Sequence, residues 1–70
     1  MGVYTIEQIK KDFNTVTKGV VASDIQLVEL VAIKIIDDSP DNEARDMALS
    51  HLLQAAEMLS VAHIFERNKA

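Results

Sequence analysis

Seventy residues make one domain at most, read here as a single helical domain over residues 1–70. A chain this short buries only about 60% of its unfolded surface, so its core needs outside support. It has no cysteine, which excludes a disulfide framework and a thiolate metal site and fits a reducing cytoplasm. Seven Lys and Arg stand against eleven Asp and Glu, and the net charge of −4 argues against non-specific binding to duplex nucleic acid.

The opening "MGVYTIEQIKK" has no basic stretch followed by an apolar run, so no signal peptide is read there. Gly2 and Thr5 stand loosely where a myristoylation motif places them. No window reaches the ~18 apolar residues of a membrane span.

The first predicted helix runs from about Thr5 to Thr15. Thr5 and Gln8 have capping-box spacing, and Ile6, Ile9, Phe13 and Val16 make one apolar face. Gly19 is the expected stop. The second runs from about Asp24 to Asp37, capped by Ser23 with Gln26 in capping-box position. Its polar residues form only a narrow stripe, so burial on more than one side is expected. The β-branched run "LVELVAIKII" has a strand as its competitor, but cap and length favour a helix. The third begins with Ser39 as cap and Pro40 at the first helical position. It continues to Asn68, with Asp41 and Glu43 at the positive end of its dipole and Arg67 and Lys69 at the other. A two-residue junction at Asp38–Ser39 predicts an antiparallel hairpin of the second and third helices. The expected fold is all-α: a short N-terminal helix, then a hairpin with one long C-terminal helix, in an oligomer.

The oligomer is expected because the long helix has more apolar surface than its partners can cover. Ala48, Leu52, Ala55, Leu59 and Ala62 form a heptad seam with alanine at every seventh residue. Leu49, Leu53, Ala56 and Ile64 make a second row, and Met47, Met58, Val61 and Phe65 a third. Asp46, Ser50, Glu57, Ser60 and Arg67 remain as the polar face. The competing expectation is a monomer in which the first helix covers these rows.

Chemistry-bearing residues are sparse. His51 and His63 lie ~120° apart on the helix and cannot chelate one metal within a chain. No triad, nucleophile elbow or Gly-rich phosphate loop is present, so no enzyme and no cofactor are expected. Tyr4 ahead of Lys10 and Lys11 suits stacking on a base beside neutralised phosphate. On the residues alone, Tyr4 is better read as a hydrophobic staple onto Ile9, and the lysines as a solvated face. Arg45 and Ser50 lie in the first turns of the long helix, where an anion is favoured but Asp41, Glu43 and Asp46 oppose it.

The run "PDNEARDMALSHLLQAAEMLSVAHIFERN" resembles a short helical-hairpin family of phages and prophages that includes the anti-CBASS sponges. That family has a proline, an acidic–basic turn, then Ala-Leu-Thr-x-Leu-Glu-x-Ala-x-Met-Trp-Ala-x-Ala-Ile-x-Arg. Pro40, Glu43, Ala48, Leu49, Ser50 (for Thr), Leu52, Ala55, Ala62 and Arg67 match it, with Ile64 shifted by about one step, Met58 one residue out of register with the family methionine, and the tryptophan absent. The resemblance covers roughly 30 of the 70 residues. It implies a small helical protein, hexameric in the known type, that sequesters cyclic di- or trinucleotide immune signals between protomers without cleaving them. It also implies the cytoplasm of an infected bacterium as its location. On this implication Tyr4 stacks on a base, Lys10, Lys11 and Arg45 meet phosphates, and Ser50 donates a hydrogen bond. The alternative expectation is an acidic helical module that docks on a host or defence protein.

Overall fold

The computed structural model describes residues 4–68; Gly2 and Lys69, singled out above, lie outside them. The described residues form three helices and no strand: α1 (Ile6–Thr17), α2 (Ser23–Asp38) and α3 (Glu43–Asn68).

Thr5 caps α1 as its spacing predicts, its hydroxyl accepting from the Gln8 amide at 3.1 Å. Only half of a capping box forms, because the Gln8 side chain donates to Asp12 at 2.9 Å rather than reaching back. α1 runs two residues past the expected Thr15 and ends at Lys18, which is left-handed at φ 53°, followed by Gly19 at φ 76°. Two successive left-handed residues turn the chain sharply, and the Lys18 amide donates to the Thr15 carbonyl to close the helix end.

α2 is a helix despite its β-branched content. Ser23 is its first residue and not its cap; Ala22 holds the cap position without a side-chain bond, and Asp24 accepts from the neighbouring Ile25 amide. The expectation of burial on more than one side is corrected within the single chain. Ile25 and Ala32 are buried, while Leu27, Leu30 and Val31 stand exposed.

The junction between α2 and α3 is also corrected. Ser39 ends α2, its amide donating to Ile35, and α3 starts at Glu43 rather than Pro40. Asn42 is the cap: its side-chain oxygen accepts from the Arg45 amide at 3.0 Å. Four residues, 39–42, therefore join the helices.

The core consists of Ile9 and Phe13 from α1, Ala32 from α2, and Leu49 and Ala56 from α3. Tyr4, Val16, Val28, Leu52 and Leu53 pack around it, half-buried. The row predicted from Leu49 through Leu53 and Ala56 to Ile64 is the inward one. Ser60, expected on the polar face, is buried instead. Its hydroxyl donates to the Glu57 carbonyl of its own helix at 2.7 Å, with the α1 carbonyl of Val16 at 3.5 Å. A small residue there lets the end of α1 lie close to α3. The start of α2 is tied to the end of α3 through Asp24 and His63, and the end of α2 to the start of α3 through Ile36 and Arg45.

Candidate functional site

A concavity of about 580 Å³, open to solvent, lies where α1 begins, α2 ends and α3 begins. Tyr4, Thr5, Ile6 and Glu7 form one side; Ile36, Asp41 and Arg45 form the other. Tyr4 immediately precedes the Thr5 cap and packs against the core cluster that contains Ile9, the arrangement of a hydrophobic staple. It is half-buried, so part of its ring surface remains open.

Arg45 is on the inward face of α3, four residues before Leu49, and its side chain is only 7% exposed. A buried guanidinium must find partners. Its Nη1 donates to the Ile36 carbonyl at 3.4 Å and its Nη2 to Asp41 at 3.2 Å. The last turn of α2 has no basic residue of its own, so Arg45 brings a cation to that helix's negative end from the next helix. Asp46 Oδ1 lies 3.9 Å from Nη2. Arg45 Nε and that Asp46 oxygen are buried without a hydrogen-bond partner. The cleft thus offers an aromatic face, aliphatic walls, one guanidinium already shared with Asp41, and a second carboxylate at Glu7. It can hold a flat, partly apolar group; two carboxylates against one guanidinium weaken its pull on an isolated anion.

The other predicted ligand residues lie elsewhere. Lys10 lines a smaller hollow of about 170 Å³ between α1 and the start of α2, with Asn14, Gln26 and Glu29. Lys11 and Ser50 are exposed on their helices and line neither concavity. Of five candidates, the fold brings together Tyr4 and Arg45. Sequence reading passed over Ile36 and Glu7 as cleft residues. The available signal for Asp41 was its spacing, four residues ahead of Arg45.

His63 Nε2 lies 3.1 Å from both oxygens of Asp24. That contact holds the Asp24 carboxyl below its ordinary value. His51 is exposed. Among the described residues, no three His, Asp or Glu side chains converge as a metal site.

On the outer side of α3, Ala48, Ala55 and Ala62 are exposed, while Leu52 and Leu59 are half-buried at the flank. Met47, Met58 and Phe65 are exposed on the same helix, Met58 by 60% and Phe65 by 70%. No helix is long and apolar enough to cross a membrane among the described residues. No protein-family model, curated protein or solved structure matches the chain.

Proposed function

We propose that this chain is a self-associating helical binding protein that sequesters cyclic di- or trinucleotide signals without cleaving them, as the resemblance to phage anti-CBASS sponges implies. The observation that carries the reading is the cleft in which Tyr4 and Arg45 meet. In this reading α2 and α3 form an antiparallel hairpin, supported by the Asp24–His63 and Ile36–Arg45 contacts at its two ends. A base stacks on the open part of Tyr4. Lys10, Lys11 and Ser50 lie outside their own chain's cleft, and complete the pocket from a neighbouring protomer. The bacterial cytoplasm of an infected host is the setting.

Calorimetric titration with a panel of cyclic di- and trinucleotides, at micromolar protein, tests this. Stoichiometric binding that Tyr4→Ala weakens, with intact ligand released on heating, supports it. No heat across the panel sinks it.

A second reading is a module that docks on a host or defence protein. The exposure of Leu27, Leu30 and Val31 on α2, in a chain of net charge −4, favours it. A stoichiometric protein partner recovered from bacterial lysate, together with a silent nucleotide titration, would decide for this reading.

A further inference from the structure

The free seam of α3 is not the one its leucines suggest. Leu52 packs against the core cluster, and Leu59 is half-buried at the flank. The residues left exposed alternate in steps of three and four: Ala48, His51, Ala55, Met58, Ala62 and Phe65. That is a heptad pattern with alanine at one seam position and a large side chain at the other. It faces away from α1 and α2, and none of the described residues covers it.

We propose that this face is covered by α3 of a second copy of the chain, running antiparallel. The pairing rests on the self-association part of the function proposed above, not on its ligand.

Two observations select the occupant and its direction. The first is volume. In an antiparallel coiled pair, one seam position faces the other. Ala48 then meets Phe65 of the second copy, Ala55 meets Met58, and Ala62 meets His51. Every layer sets a small residue against a large one, which gives even spacing along the rods. A parallel pair would stack alanine on alanine and phenylalanine on phenylalanine, leaving alternate layers too thin and too thick.

The second is charge. The start of α3 is acidic, with Asp41, Glu43 and Asp46; its end carries Arg67 beside Glu66. The antiparallel register sets the acidic start of each α3 at the level of the end that carries Arg67 in the second copy and keeps the two acidic starts apart. A parallel pair would gather the three acids of both copies at one end. Opposed helix dipoles favour the antiparallel arrangement in the same sense.

The chain has no cysteine, so cross-linking has a clean background. Ala48→Cys and Phe65→Cys are made as separate full-length variants. Both positions are exposed, and circular dichroism checks that each variant is folded. Mixed and mildly oxidised, the two yield a 48–65 disulfide between different variants. Alone, each stays reduced, because like positions lie ~26 Å apart across the antiparallel pair, far beyond the ~7 Å reach of a disulfide. Preferential 48–48 and 65–65 disulfides overturn the direction. An oligomer that forms neither kind of bridge overturns the face. Light scattering on the parent chain separates the two levels: a clean monomer of 7.8 kDa removes self-association itself. A silent nucleotide titration with an intact 48–65 bridge removes only the ligand.

Discussion

Replacing Arg45 separates packing from hydrogen bonding at the junction of α2 and α3. Alanine keeps the first carbon of the Arg45 stem, so Arg45→Ala removes two buried methylenes, about 1.6 kcal/mol at ~0.8 kcal/mol per CH2. The polar contacts of Arg45 add less. The distances of 3.4 Å to Ile36 and 3.2 Å to Asp41 exceed the ~2.7–2.9 Å of a strong charge-assisted bond. Asp41 is 50% exposed, so it returns to water when the guanidinium is removed. Arg45→Ala therefore costs about 2–3 kcal/mol, mostly lost stem. Arg45→Met keeps the stem and costs less than about 1 kcal/mol, as buried charges replaced by apolar groups of similar volume often do. In a domain of this size ~1 kcal/mol moves the melting temperature by ~4–8 °C. The alanine variant should thus melt about 10–20 °C lower, and the methionine variant within about 8 °C of the parent. Thermal unfolding is followed by circular dichroism at one fixed protein concentration, because self-association makes the midpoint concentration-dependent. A methionine variant that falls as far as the alanine variant would refute the reasoning and make the hydrogen bonds the stronger tie.

Leu49→Ala removes a fully buried side chain and should cost about 2–5 kcal/mol in urea unfolding; a change below about 1 kcal/mol would mean that the site collapses around the gap. The Asp24 carboxyl, held down first by its contact with His63, should titrate by NMR below its ordinary 3.8 and rise in His63→Gln. Because its folded-state value is lowered, that contact contributes fully above pH 3.8 and is lost as the pH falls through the lowered value; an unchanged titration in His63→Gln would contradict this. Met58→Ser with Phe65→Ser should leave the fold within about 1 kcal/mol once monomeric, since both sites are exposed, yet bring the mass by light scattering down to 7.8 kDa. Ser60→Leu should destabilise by about 1–3 kcal/mol through crowding against the end of α1, whereas Ser60→Ala should be milder; equal effects would show that the hydroxyl, not the space, matters there.

Local signals read well where one residue decides one bond. The Thr5 cap needs only an oxygen three residues ahead of a free amide, and it forms. Helix in α2 followed from length, and β-branching did not override it. The start of α3 was misplaced because the segment offers three cap-type residues, Ser39, Asp41 and Asn42, within four positions. Asn42 prevails, and Ser39 closes the preceding helix. Ser60 was assigned outward by its polarity, and Arg45 was read as an anion contact in the first turns of the helix. Yet both share the period of Leu49 and Ala56, and on this helix period outweighs residue type. The meeting of Tyr4 with Arg45 was not legible at all. It depends on how α1 lies across the ends of α2 and α3, which no spacing within a helix encodes. The exposed seam was half legible: the alanines were found, but Leu52 and Leu59 belong to the flank, and which residues alternate with alanine follows only from what the rest of the chain covers.

The corner after α1 has a stereochemical consequence. Gly19 sits at φ 76°, and a side chain placed on it would meet no atom within 4 Å. Packing therefore has no say there, and Gly19→Ala would register only the penalty that an L residue bears in a left-handed conformation, about 1–2 kcal/mol. D-alanine has the mirror-image preference and bears no such penalty. In a chain short enough for chemical synthesis, that one position would let the handedness of an amino acid be weighed directly as a difference in folding free energy.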